Sequence, residues 1–194
     1  MFPFVKRIIF GSTTESETGE FMYDEDLEEY RMVSGLDPEE ILRLYAIFRS
    51  KVGKNEKNMS KDVFLKMECI AMNPLKERIC MIFGYDSSST IDFKQFVCGI
   101  AEFNSPSPAS REQKLRVAFR LHDMDNDGFI SKDDLEKYLG IVTADSLAEA
   151  EIKDIVQSVF VECCSDPKQH LINFSDFQRV IAPTDFHIKL HLPI

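Results

Sequence analysis

The chain has 194 residues, 44% of them hydrophobic, which is enough apolar material to bury a substantial core. A formal net charge of -10 and a sequence pI of about 4.9 argue against a nucleic-acid-binding surface and favour an acidic, metal-binding protein. Five cysteines, an odd number without CxxC spacing, favour a reduced intracellular protein, so we expect a cytoplasmic location.

Residues 1–35 are predicted to form a variable N-terminal extension. They begin with M-F-P-F-V-K-R-I-I-F, an apolar run that is too short to cross a bilayer. An acid-rich stretch from Glu15 to Glu29 follows where a secretory signal would have its cleavage site. Three roles for residues 1–10 remain open: contact with a membrane surface, folding back onto the protein, or a disordered end.

Residues 36–103 are predicted to contain four helices, because capping residues are followed by apolar residues at helical spacing. The predicted starts are Asp37 with Pro38 after it, Ser60, Asn73 with Pro74, and Phe93, whose helix runs to about Phe103. Residues 104–110, N-S-P-S-P-A-S, contain two prolines and no apolar periodicity, so they are predicted to link this lobe to a second one.

The second lobe is predicted to span residues 111–182, followed by a C-terminal tail at 183–194. Ser110 and Gln113 form a capping box before the first helix, and Ser146 and Glu149 form another before a later helix. Between them, an apolar stripe ends at Gly140, where a helix stop is expected.

Residues 123–134, D-M-D-N-D-G-F-I-S-K-D-D, have the ligand pattern of an EF-hand calcium loop. Calcium takes six to eight oxygen ligands in flexible geometry, and a loop with alternating carboxylates supplies them. The candidate ligands, at loop positions 1, 3, 5, 7, 9 and 12, are Asp123, Asp125, Asp127, the carbonyl of Phe129, Ser131 and Asp134. Gly128 at position 6 permits the sharp turn.

Position 12 departs from the pattern, because Asp134 is one methylene shorter than the bidentate glutamate that calcium prefers. We therefore expect weaker calcium binding and a smaller margin over magnesium. A solvated turn is the alternative interpretation of an Asp-rich, Gly-containing stretch.

Three further loops match the apolar frame of an EF-hand, at 52–63, 84–95 and 165–176. Their ligand positions hold too few carboxylates, and Lys54 places an ammonium where a cation would bind. We expect these three loops to be metal-free. The residues at position 8 should still pair as short antiparallel strands, Met59 with Ile91 and Ile130 with Ile172. The predicted fold is all-α, with four helix-loop-helix hands in two lobes.

Several segments resemble calcineurin B, the regulatory subunit of the calcium-dependent protein Ser/Thr phosphatase. R-E-Q-K-L-R-V-A-F-R-L-H-D-M-D-N-D-G-F-I-S at 111–131 resembles the third hand of that family, and I-F-G-Y-D-S-S-S-T-I-D-F-K-Q-F at 82–96 resembles the second. The tail D-F-H-I-K-L at 185–190 is similar to the family's D-x-H-x-K motif and distinguishes the chain from calcineurin-B homologous proteins. The resemblance extends from about Leu36 to the C-terminus.

The resemblance implies a non-catalytic subunit that clamps an amphipathic helix of the phosphatase catalytic subunit in an apolar groove. It departs from the family at Met1-Phe2, since the family has Met-Gly for N-myristoylation, and in retaining one competent hand. We therefore expect a constitutive partner, with calcium sensing passed to a separate sensor such as calmodulin in the same complex.

Other functions remain open. A calcineurin-B homologous protein binding a transporter helix, or a calcineurin-B-like protein binding a kinase helix, would use the same groove. A calcium buffer belongs to a different class, and one competent loop would make it inefficient. An enzyme is not expected, because the four histidines, at positions 122, 170, 187 and 191, are not spaced as a catalytic or metal-binding set.

Overall fold

A computed structural model describes residues 22–53, 55–85, 88–104, 110–144, 146–163 and 170–181. Within these ranges the chain forms ten α-helices and four two-residue strands. The helices are α1 (Asp24–Ser34), α2 (Pro38–Lys51), α3 (Lys61–Leu65), α4 (Glu68–Ala71), α5 (Lys76–Ile82), α6 (Phe93–Asn104), α7 (Ser110–His122), α8 (Lys132–Thr143), α9 (Glu149–Cys163) and α10 (Phe174–Ile181). The strands are β1 (Met59–Ser60), β2 (Thr90–Ile91), β3 (Ile130–Ser131) and β4 (Leu171–Ile172).

The strands confirm the predicted pairing of the hands. β1 and β2 pair antiparallel with Met59 opposite Ile91, and β3 and β4 pair antiparallel with Ile130 opposite Ile172. All four position-8 side chains are buried, at most 2% exposed. The mostly helical, two-lobed fold expected from the sequence is therefore confirmed.

The first lobe has a core rich in aromatic rings. Phe48 and Phe96 are fully buried with ring centroids 5.4 Å apart, and Phe64 lies 4.7 Å from Phe83. Burying one such side chain contributes roughly 1.5–3 kcal/mol. Because these residues frame the loops at 52–63 and 84–95, the first lobe has a packed scaffold that involves no metal ligand.

Helix α7 lies between the two lobes and packs into both. Its Leu115 and Phe119 belong to the core of the second lobe, whereas Val117 and Leu121 belong to the core of the first. Helix α7 also contacts α5 and α6 of the first lobe. The lobes are thus joined by side-chain packing in addition to the linker, whose residues 105–109 lie outside the described ranges.

Helix α1 has no counterpart in the sequence prediction, which placed no element before Asp37. It contacts α2 and α6, and the ring of Tyr30 meets Phe93 edge to face at 5.0 Å between centroids. Gly35 ends the helix in the left-handed conformation, with φ at 69°. Part of the N-terminal extension is therefore an element packed on the first lobe, while residues 1–21 lie outside the described ranges.

Three predicted helix boundaries differ in the structure. Helix α8 continues through Gly140 to Thr143 and ends at Ala144, which takes the left-handed conformation instead. Helix α9 begins at Glu149, so Ser146 precedes it and is not its N-cap; the backbone N–H of Ala148 donates to the Glu151 carboxylate. An acidic side chain one turn into the helix satisfies this amide, which the predicted Ser146–Glu149 box had assigned elsewhere.

The start of α2 is at the predicted residue, with Asp37 at the N-cap and Pro38 at the first helical position, although Asp37 forms no side-chain capping bond. The helix predicted from Ser60 is interrupted after Leu65 and resumes as α4. Within the described ranges, no helix has the length and apolar character needed to cross a membrane. The terminal segments at 1–21 and 182–194 lie outside those ranges.

Candidate metal centre

Three carboxylates converge in the loop between α7 and β3. Asp123, Asp125 and Asp127 each have an oxygen within 4.8 Å of the other two. Asp123 is buried, and the other two are exposed to solvent. Grouped carboxylate oxygens are the ligands that a hard divalent cation prefers, and a cation between them would offset their mutual repulsion.

The backbone of the loop brings these carboxylates together. Asn126 and Gly128 have positive φ angles of 61° and 88°, which turn the chain sharply. The amide of Gly128 donates to Asp123 Oδ2 at 3.0 Å, and the amide of Asp127 donates to Asp123 Oδ1 and Asp125 Oδ1, each at 3.2 Å. Phe129 N–H donates to Asp127 Oδ1 at 2.8 Å. Each carboxylate is thereby oriented by the loop itself.

Two opposing effects act on Asp123. Burial raises the pKa of its carboxyl above the ordinary value, while the N–H groups of Gly128 and Asp127 stabilise the charged form and lower the pKa. The neighbouring carboxylate of Asp127 adds repulsion that also raises the pKa. A bound divalent cation would favour the ionised form of all three groups.

Asp134 takes a different place from the one predicted for it. Its carboxylate is not part of the group of three; its Oδ2 accepts from the backbone N–H of Ser131 at 2.8 Å and from Ser131 Oγ at 2.6 Å. The Ser131 hydroxyl in turn accepts from the Asp134 amide at 3.2 Å. These two residues form a capping box at the start of α8, a role that the sequence analysis missed.

The same positions, 9 and 12, cap the following helix in the other hands. In the second hand, Asp92 and Gln95 exchange reciprocal side-chain bonds with each other's amides. In the first and fourth, the position-9 side chains of Ser60 and Asn173 accept from the amide three residues later. This could have been predicted from Ser, Asp or Asn recurring at position 9.

The described parts of the other loops hold groups unsuited to a cation. Val52 at position 1 of the first loop is buried, and Arg49 donates to the carbonyl of Glu56 at 2.8 Å. In the second loop, Asp92 Oδ1 accepts from the Gln95 amide. Position 12 of the fourth, Asp176, pairs with Arg179 at 3.3 Å. Lys54, Asp86 and residues 165–169 lie outside the described ranges.

One side chain reaches the acidic loop from the first lobe. Arg78 of α5 is 7% exposed and donates to the backbone carbonyls of Arg120, Asp123 and Met124. It also donates to Asn126 Oδ1 at 3.1 Å. No spacing in the sequence indicates a contact across more than 40 residues, so sequence reasoning had no signal for it.

Comparisons with known proteins agree with this site. Residues 112–182 match a family model described as an EF-hand domain pair. The chain is 32% identical to the type 2 calcineurin B protein of Rattus norvegicus over 159 residues, which cover 82% of this chain and 89% of the relative. It is also 32% identical to the type 2 calcineurin B protein of Dictyostelium discoideum, with coverage of 88% and 91%.

A more divergent relative, the calcineurin B protein of Naegleria gruberi, is 28% identical over 86% of this chain and 92% of its own length. The matches therefore extend well beyond the acidic loop and include both lobes. They agree with the strand pairing and the grouped carboxylates, which were established from the geometry alone. The chain therefore belongs to the calcineurin B family of EF-hand proteins.

Proposed function

We propose that the chain is a non-catalytic, calcium-binding regulatory subunit of a calcineurin-type protein Ser/Thr phosphatase. The observation that carries this proposal is the convergence of Asp123, Asp125 and Asp127 in a chain that belongs to the calcineurin B family. Its relatives carry the name of the regulatory and not of the catalytic component, in agreement with the expectation that the chain is not an enzyme.

One calcium ion would bind, at residues 123–134. Three carboxylates would coordinate it directly, together with the carbonyl of Phe129, and Ser131 would act directly or through water. Asp134 would have to leave Ser131 in order to reach the ion, which supports weak binding and makes magnesium a competitor. The groups described in the other three loops support their assignment as metal-free.

The partner would be an amphipathic helix of the phosphatase catalytic subunit. Large apolar side chains remain exposed on α8 and α9 of the second lobe, at Ile141, Ile155 and Val161. Apolar surface beside polar residues is typical of a site that receives the apolar face of a helix. The packed first-lobe core supports binding that persists without calcium, with a sensor such as calmodulin responding to calcium in the same complex.

An affinity capture with the intact chain tests this function. The chain is immobilised and exposed to cell extract with calcium and then with chelator, and bound proteins are identified by mass. We expect a phosphatase catalytic subunit in both conditions. Recovery only with calcium would make the loop a switch, and recovery of a transporter or a kinase instead would assign the chain to a sibling family.

A pair of variants on α9 provides the matched control. Ile155→Ser removes an exposed apolar side chain, while Asp154→Ser makes a change of similar size at the adjacent exposed position. We expect Ile155→Ser to reduce capture of the catalytic subunit and Asp154→Ser to leave it unchanged. Equal capture by both variants would contradict the placement of the helix on this surface.

A further inference from the structure

Arg78 joins the two lobes at the point where the acidic loop begins. Its guanidinium donates to Met124 O at 3.1 Å and to Asn126 Oδ1 at 3.1 Å, and it also bonds the carbonyls of Arg120 and Asp123. These acceptors lie at loop positions 1, 2 and 4 and in the last turn of α7. A single first-lobe side chain therefore holds the start of a second-lobe loop.

The chemistry of this contact is that of a helix cap supplied from another lobe. The last carbonyls of a helix have no partner within the helix, and the negative end of its dipole favours a cation. The guanidinium presents several donors in a fixed plane, so it can bond several carbonyls at once. Burial lowers the pKa of Arg78 below its ordinary value, whereas the charge of Asp123 opposes that shift.

The position is costly, which argues against an incidental contact. Among the described residues, Arg78 Nε is a buried polar atom with no hydrogen-bond partner, and a buried charge loses solvation that its contacts must replace. The other guanidinium nitrogens recover that loss through oxygens of the α7 terminus and the loop. The energetic gain of Arg78 is thus concentrated at the start of the acidic loop.

We propose that Arg78 is a positioning residue for the cation site at 123–134, and that it couples ion binding in the second lobe to the packing of the first. By fixing the backbone at positions 1, 2 and 4, it holds the turn in which Asp123, Asp125 and Asp127 converge. The inference rests on the proposed calcium function, because it assigns a support to that same site.

The charge of Arg78 acts in the opposite direction from its hydrogen bonds, because a positive charge near a cation repels it. The two effects predict opposite signs. If positioning dominates, removing the guanidinium weakens calcium binding; if repulsion dominates, removal strengthens it. Arg78→Lys separates them further, since lysine keeps the charge but lacks the planar fork that spans several carbonyls.

The test is calcium titration of the full chain by calorimetry, for the wild type, Arg78→Met, Arg78→Lys and the control Arg43→Met. Arg43 is an exposed arginine of α2, so its replacement makes the same chemical change away from the site. We expect Arg78→Met to weaken calcium binding roughly tenfold or more, the usual effect of removing a group that orients metal ligands. Arg78→Lys should also lose affinity, and Arg43→Met should match the wild type.

Hydrogen exchange provides a readout of the coupling. In the wild type, calcium should slow amide exchange in α5 as well as in the loop, and in Arg78→Met the slowing in α5 should disappear. Circular dichroism verifies folding, and Arg78→Lys retains the charge and the aliphatic stem if the methionine variant is unstable.

The outcomes separate the two proposals. Absence of calcium binding in the wild type would overturn the calcium function and this inference with it. Calcium binding by the wild type, with equal or tighter binding by folded Arg78→Met, would overturn the inference alone. Full affinity in Arg78→Lys would assign the effect to charge and would also overturn positioning.

Discussion

The two lobes share one backbone plan but differ in what stabilises their loops. In the first lobe, the loops are held by protein groups: Arg49 bonds the carbonyl of Glu56, and the Tyr85 hydroxyl donates to the carbonyl of Met59 at 3.2 Å. In the second lobe, the loop at 123–134 brings three carboxylates together. The first lobe has replaced ion contacts by internal ones, whereas the second retains a site that a cation would complete.

The difference teaches that the scaffold of an EF-hand and its metal chemistry are separable. The paired strands, the apolar frame and the caps at position 9 occur in both lobes. The converging carboxylates do not. Mutations in the scaffold should therefore change stability without changing calcium binding, and mutations in the loop should do the reverse.

The largest expected effect is the loss of a core ring in the first lobe. Phe48→Ala removes a fully buried side chain, and we expect the free energy of unfolding to fall by about 3–5 kcal/mol. Urea unfolding should show the same loss with calcium and with chelator. Met72→Ala, at a 90% exposed residue, is the control and should change stability by less than about 0.5 kcal/mol. A loss for Phe48→Ala that depends on calcium would break the proposed independence of the first lobe.

Two glycine-to-alanine changes should have opposite signs in the two lobes. A Cβ at Gly99 of α6 would lie 2.5 Å from Cε1 of Phe83, so overpacking should destabilise the protein by about 1–3 kcal/mol. A Cβ at Gly140 of α8 would meet nothing within 4 Å, so Gly140→Ala should stabilise it by about 0.5–1 kcal/mol through helix propensity. Thermal unfolding measures both, and a stabilising Gly99→Ala would contradict the tight packing of the first lobe.

Lengthening the position-12 side chain should sharpen the difference between the lobes. In Asp134→Glu, the extra methylene lets the carboxylate reach a bound ion in bidentate fashion, and we expect calcium affinity to rise about tenfold, or ~1.4 kcal/mol. The preference over magnesium should increase as well. Competitive titration with both ions measures this, with Gln95→Glu in the second hand as the matched control. If Asp134→Glu failed to tighten binding, the short side chain would not be what limits affinity.

The smallest effect expected is at the hydroxyl that connects the first two loops. Tyr85 is buried, and burial raises the pKa of its phenol well above the ordinary value, so the group remains a neutral donor. Tyr85→Phe should lower stability by about 1 kcal/mol, the net value of a hydrogen bond, without altering calcium binding. Tyr23→Phe, at an exposed tyrosine, should change neither quantity. A change in calcium affinity for Tyr85→Phe would show that the first-lobe loops influence the site.

Much of the fold could be predicted because its signals are local. The position-8 pairs and the apolar frame follow from spacing, and the three converging aspartates follow from the loop pattern. Asp134 was assigned to the ion because its position in the loop does not reveal its competing bond to Ser131. Helix α1 was missed because few of its residues are apolar, although Leu27, Tyr30 and the following Gly35 were available as signals. Arg78 was missed because its contacts depend on how the lobes pack.

The most direct test of the central claim is the number of calcium ions that the full chain binds, measured by calorimetry on the wild type, Asp125→Asn and the control Asp133→Asn. Asp133 is an exposed acid in the first turn of α8 and is not among the proposed ligands. We predict one ion for the wild type and for Asp133→Asn, and none for Asp125→Asn. Two or more tight sites, or a single site that survives Asp125→Asn, would contradict this claim.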